Sequence, residues 1–203
     1  MKRRAFVKTI LLGGGFTLMT SKGYALKFYP NAGPGKWAVL FGSRYGSTRD
    51  AAFWISEGMG GIAEVFDARE NPDLSPFDNL IIGSGVYVEK VAPALETFLT
   101  QNGAKIGGKV RALFVVCGAA GTPYANRYID ILAKLSGSNP PLKISFPGRM
   151  TKRLLEADTY KHMEEYSKKT NRPFEDNDRL QRKDCLQFGE EILKQFSNPA
   201  GKV

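Results

Sequence analysis

Trp37-Ala38-Val39-Leu40-Phe41 is a short unbroken apolar run, the pattern of a β-strand buried on both faces. Comparable strands are expected over Ile62–Phe66, over Asn79–Gly83 with Leu80-Ile81-Ile82 at its centre, over Val110–Cys117 and over Leu142–Phe146. Between them the apolar spacing lengthens to that of a helical face. Ala51, Ala52, Trp54 and Ile55 define a helix over Thr48–Glu57, which Gly58, Gly60 and Gly61 stop. Further helices are expected over Ala92–Asn102, over Tyr124–Leu135 with Ile129, Ile131, Leu132 and Leu135 turned to the core, and over Cys185–Phe196. Asn71-Pro72-Asp73 and Ser75-Pro76 mark a loop. Strands alternating with helices imply parallel βαβ units with right-handed crossovers. The expected fold class is therefore α/β: a three-layer, doubly wound, five-stranded parallel sheet. The pattern leaves the strand order open.

Arg149–Asp184 breaks the rhythm, with ten basic and eight acidic residues. Asp158 is placed to cap a helix over Thr159–Lys168, with Met163 and Tyr166 on its inner side. Two readings stand. The segment is a solvated helix with a loose connection at Arg172-Pro173, or it is a docking surface beside a ligand site.

The first residues are of another kind. Arg3-Arg4-Ala5-Phe6-Val7-Lys8 resembles the core of a twin-arginine export signal, an address for proteins that cross the membrane folded, commonly with a cofactor bound. A modestly apolar run from Thr9 to Met19 follows, interrupted by Gly13, Gly14 and Gly15. It is roughly half the ~20 residues a spanning helix needs. Gly23 and Ala25 offer a cleavage site. The expected organisation is a signal peptide over 1–25, a Gly/Pro-rich linker over 26–36 and one domain over 37–203. That points to the twin-arginine export machinery and to the periplasm; the other readings are a short membrane anchor or an uncleaved signal.

The formal charge is +9, but Lys2, Arg3, Arg4, Lys8 and Lys22 supply five positives before Leu26 with no acid among them, leaving about +4 on the domain. No arginine-rich helix alternates with aromatics, so no nucleic-acid partner is expected. Cys117 and Cys185 are expected as free thiols. His162 is the single histidine and is read as surface or structural, so neither a metal site nor a catalytic side chain is expected.

Chemistry concentrates in Gly42-Ser43-Arg44-Tyr45-Gly46-Ser47-Thr48, between the first strand and the first helix. Hydroxyls and glycines there set O–H and backbone N–H donors around an anion at a helix N-terminus, with the helix dipole adding ~0.3–2 kcal/mol. Open parallel sheets bind ligands at this end. Gly46 is followed by Ser47-Thr48 without a lysine, so this is not a Walker A loop; nor is it the dinucleotide fingerprint.

The spacing resembles the flavodoxin phosphate loop, [ST]-x-[ST]-G-x-[ST]. Ser43, Gly46 and Thr48 match it, and Tyr45 stands where the middle hydroxyl residue is usual. That departure is similar to the wider flavodoxin-like group that includes menaquinone-dependent protoporphyrinogen oxidases. The resemblance spans nearly all of Trp37–Phe196 and implies FMN, its monophosphate held by residues 43–48, with Arg44 available as an added charge. It also implies that two later loops pinch the flavin ring. One is Gly83-Ser84-Gly85-Val86-Tyr87; the other is Cys117-Gly118-Ala119-Ala120-Gly121-Thr122-Pro123-Tyr124. Tyr87 is the first choice for stacking on the ring and Tyr124 the second, each otherwise an amphipathic residue at a loop edge. Gly85 is the position expected to let a peptide reorient toward the reduced ring.

The expected function is that of an exported FMN protein that transfers electrons to or from a redox partner protein or a quinone. A quinone- or porphyrinogen-linked dehydrogenase is the alternative. Against it, only a short loop separates Val116 from Tyr124, where those oxidases carry a long insertion, and export sits poorly with haem synthesis. A third reading is a binding module of the same fold without flavin. The mildly basic domain suits an acidic partner or peripheral contact with an anionic membrane surface.

Overall fold

The computed structural model describes residues 35–171 and 173–197. The expected leader and most of the expected linker lie outside those residues. Five parallel strands form the sheet: β1 (Trp37–Gly42), β2 (Ala63–Asp67), β3 (Asn79–Tyr87), β5 (Val110–Cys117) and β6 (Leu142–Pro147). A short strand, β4 (Lys90–Val91), pairs antiparallel with the end of β3. The spatial order is β2-β1-β3-β5-β6. The chain reverses its direction of travel across the sheet between β1 and β3, which lie side by side.

Both faces of the sheet are covered, which is why its central strands β1, β3 and β5 read as nearly continuous apolar runs. On one face Ala38, Leu40, Leu80, Ile82, Leu113 and Val115 pack under α2 (Pro93–Ile106) and α3 (Pro123–Ser136). On the other, Val39, Phe41, Ile81, Phe114 and Val116 pack under α1 (Ser47–Gly58) and α5 (Arg182–Ser197). The helices α1 and α5 nearly touch through their backbones. A Cβ at Gly58 would lie 2.1 Å from the Leu186 carbonyl oxygen, and one at Gly189 2.2 Å from that of Ile55. Only glycine fits at either position.

Three features depart from the sequence reading. β3 runs on to Tyr87, four residues past Gly83, because Ser84 and Gly85 stay in register with Val115 and Val116 of β5 and a hairpin to β4 follows. The helices α2 and α3 begin at Pro93 and Pro123, where the missing N–H costs nothing and φ is already helical. The charged segment contains a two-stranded antiparallel sheet, β7 (Arg149–Met150) with β8 (Asn177–Asp178), and α4 (Ala157–Thr170). Asp158 does not cap α4: it lies in the first turn, and Glu156 takes the cap position without a side-chain bond. Met163 is half-buried and Tyr166 is 44% exposed, so they do not form an inner face. The helix docks by its first turn instead, where Thr159 is its buried residue.

Candidate functional site

The loop between β1 and α1 is built around Gly46, whose φ of 93° puts it in the left-handed region at the helix cap. Its N–H donates to Ser43 Oγ at 3.1 Å, and its carbonyl accepts from the Asp50 N–H at 2.9 Å. The remaining N–H groups of the first turn have no intrahelical acceptor. Thr48 is 1% exposed, and its Oγ1 meets no hydrogen-bond partner. A buried hydroxyl left unpaired costs about 1–3 kcal/mol. Beside free amides at a helix N-terminus, that orphan fits a phosphate oxygen. The FMN monophosphate therefore suits the residues present.

Ser47 is buried but turned to another task, accepting the Arg149 N–H at 3.2 Å. Arg44 is exposed and pairs with Glu156 at 3.2 Å, its guanidinium 5.9 Å from the rings of both Tyr45 and Tyr87. The Tyr45 hydroxyl reaches Thr159 of α4 at 3.4 Å.

At the end of β3, Ser84 is fully buried. It donates to the Gly85 carbonyl at 2.8 Å and accepts from the Ala92 N–H at 2.9 Å, tying the strand to the start of α2. Tyr87 folds back over Gly85: its hydroxyl accepts the Arg44 N–H at 2.7 Å, and its ring meets Tyr45 edge-on at 5.5 Å. Gly85 sits inside β3 opposite Val116. The left-handed residues are Val88 (φ 44°) and Glu89 (φ 63°), which make the two-residue turn from β3 to β4. Non-glycine residues there cost about 1–2 kcal/mol each, and a β-branched valine is the more strained. Val86 is half-buried beside them.

The neighbouring loop after β5 is looser. Cys117 is buried, and burial pushes its thiol above the ordinary range against the pull of the Ala119 N–H and Arg179. The Gly118 carbonyl accepts from the Arg179 guanidinium at 3.1 Å. Gly121 (φ 76°) donates its N–H to Ser145 Oγ at 2.9 Å, and Thr122 Oγ1 donates to the Ala119 carbonyl at 2.7 Å. Tyr124 is 45% exposed and packs edge-on against Tyr128 at 5.5 Å. The Tyr128 phenol, then desolvation, then the Glu89 carboxylate hold its pKa above the usual phenol range. Tyr128 is fully buried, and its hydroxyl makes no well-formed hydrogen bond.

The three loops thus meet at the carboxyl ends of adjacent strands. The charged segment returns to the same place, which the sequence offers only as one of two options. Arg149 bridges Asp50 at 3.0 Å and Asp178 at 2.6 Å, so α1 and β8 share one guanidinium. His162 is exposed on α4, away from these contacts. Arg149, Asp50, Glu156, Thr159 and Arg179 do not stand out in the sequence. For the charged ones the only signal is charge density, which does not say which charge meets which. Two surface depressions, of about 410 and 570 Å³, flank α3, the larger reaching Gly121 and β6; neither includes the phosphate loop.

Known structures agree with this architecture. Oxidised flavodoxin 1 from Bacillus cereus superposes with a TM-score of 0.52 at 19% identity, over 78% of this chain and 97% of that one. A flavodoxin from the domain Archaea gives 0.51 at 17%, over 79% and 98%. The Flv1 flavodiiron core from Synechocystis gives 0.52 at 14%, over 84% of this chain and 38% of that one. No curated protein matches the chain. The fold is that of flavodoxins. A flavodoxin domain model matches residues 38–176, and the chain belongs to the flavodoxin domain family.

Proposed function

We propose that this chain is an FMN-binding redox protein, exported folded through the twin-arginine route, that exchanges electrons with a partner in the periplasm. One observation carries the reading: the buried, unpartnered Thr48 hydroxyl beside the free amides of α1, in a loop whose spacing is that of the flavodoxin phosphate site. Bound FMN supplies one- and two-electron chemistry. The chain's own residues hold and orient it. Ser43, Gly46 and Thr48 take the phosphate, and residues 84–86 and 117–124 flank the ring. None of them is required as an acid or base.

The short Gly118–Thr122 connection favours a carrier over a quinone- or porphyrinogen-linked dehydrogenase. The domain's surplus of about +4 and the exposed Arg153, Lys161, Lys168 and Lys169 of the charged segment favour an acidic partner protein or an anionic membrane surface. Docking should slow as salt is added.

The decisive experiment is purification of the full chain under native conditions, followed by absorption spectra and mass spectrometry of the released cofactor. A yellow protein releasing FMN supports the proposal. A folded, colourless protein that takes up no FMN in titration rejects it and leaves a flavin-free binding module. Fractionation of cells expressing the full chain, with Arg3 and Arg4 intact or changed to lysine, tests export. Turnover of a soluble quinone by reduced protein with no second protein present would favour the dehydrogenase.

A further inference from the structure

The usual phosphate loop has a hydroxyl residue where this chain has Tyr45, and the Tyr45 hydroxyl points away, to Thr159. We infer that the missing donor is restored from β3: the Tyr87 phenol is a phosphate ligand of the FMN site, in place of its expected part as a stacking ring. This rests on the FMN reading and adds a residue role to it.

Three observations converge. The Tyr87 hydroxyl lies inside the loop and accepts the Arg44 N–H at 2.7 Å. A phenol that accepts one bond keeps its own proton to donate. The point where a Gly85 Cβ would stand is 2.3 Å from the Tyr87 hydroxyl oxygen and 2.9 Å from Thr48 Oγ1. The phenol and the orphaned threonine therefore both pack against Gly85 at the mouth of α1. Finally, the ring is held there. Its edge meets Tyr45, the Arg44 guanidinium stands 5.9 Å from its centroid, and Val88 and Glu89 take left-handed backbone to close the hairpin behind it.

Gly85 is then explained by close approach. A Cβ at 85 would crowd both the phenol and Thr48 Oγ1, so glycine at 85 lets the two hydroxyls approach the strand. A phenol in this position recognises the phosphate and leaves the ring alone. It should separate FMN from riboflavin, which shares the ring and lacks the phosphate.

The test is titration of flavin-free protein with FMN and with riboflavin, read by quenching of flavin fluorescence, for wild type, Y87F and Y87L. A hydrogen bond to a charged group corresponds to about a 10- to 100-fold change in affinity. The expected result is FMN binding weakened by about that factor in both variants, with riboflavin binding unchanged in Y87F. A further variant guards against a folding artefact: G85S in the Y87A background returns a hydroxyl beside Thr48 and should recover FMN affinity. The inference is overturned if Y87F binds FMN as wild type does. It is also overturned if Y87L weakens FMN and riboflavin equally, which is the signature of lost stacking. Wild-type protein that binds neither flavin overturns the FMN reading itself, a result distinct from either of these.

Discussion

The two ends of the proposed flavin site are built differently. At the phosphate end, Ser43, Ser47 and Thr48 are buried, and side chains and backbone from β3, β7 and α4 reach into the loop. At the ring end, Gly118, Gly121, Thr122 and Tyr124 are exposed or half-exposed, and two long-range bonds, from Arg179 and to Ser145, tether the loop. The phosphate end is thus formed before any ligand arrives, with an unpaired hydroxyl waiting in it. The ring end has few constraints and can adjust to what it holds. A fixed anion site beside an adaptable ring site would secure a flavin at its phosphate end and leave the ring end open to solvent.

The largest test of this contrast is Thr48→Val, which keeps the shape and removes the orphan hydroxyl. FMN affinity should fall about 10- to 100-fold, since a hydrogen bond to a charged group contributes ~1.5–3 kcal/mol. The ligand-free protein should become more stable by about 1 kcal/mol, because an unsatisfied buried group has gone. Fluorescence titration and thermal melting read the two effects. A ligand-free protein that instead loses stability would mean that the hydroxyl is structural and the phosphate end is not poised for a ligand.

Arg149→Met comes next. Its ion pairs with Asp50 and Asp178 are partly exposed, with 30% of the arginine side chain accessible. Such pairs contribute up to about 1 kcal/mol each. Losing both should lower urea stability by about 1–2 kcal/mol. It should also weaken FMN several-fold, because Ser47 leans on the Arg149 backbone. A change in stability with no change in FMN affinity would confine the charged segment to a structural role.

These cases also mark what the sequence can convey. The apolar runs locate β1 and β5 to within a residue, because strands buried on both faces are apolar almost throughout; β6 is located as closely although it is an edge strand that carries Lys143 and Ser145. Ser43, Gly46 and Thr48 are legible because their spacing is dictated by a single tight turn. The hairpin after β3 is not legible. Val88-Glu89 has none of the glycine or asparagine that normally signals a two-residue turn, and pairing of β3 with its neighbour imposes it. Nor is the pairing of Arg149 with Asp50 legible, since those residues stand 99 positions apart. Gly85 is legible as a special position, but its close approach to Tyr87 and Thr48 is not.

A smaller effect is expected at the ring end. Arg179→Gln removes the bond to the Gly118 carbonyl, which lies in solvent and should cost less than about 1 kcal/mol of global stability. Amide exchange over Gly118–Thr122 should nevertheless quicken, while exchange at Ser47 and Thr48 stays as it was. Equal acceleration at both ends would deny that they are mechanically separate.

The smallest and most local probe is the thiol of Cys117, which closes β5 beneath that loop. Burial pushes its pKa above the ordinary value of 9.0, and the thiolate is the species that reagents attack. The folded state holds the proton more firmly than the unfolded chain does. Its contribution to stability is therefore complete below the ordinary value and is lost as pH rises through the folded one. At neutral pH, labelling must wait for the loop to open. Cys185, whose pKa burial raises to about 12, lies on the buried face of α5, where opening requires the helix to leave the sheet. Cys117 should therefore label faster than Cys185, faster still in Arg179→Gln, and more slowly once FMN is added. If both thiols react at one common rate that tracks global unfolding, the ring end is as rigid as the phosphate end, and the adaptable loop has no physical basis.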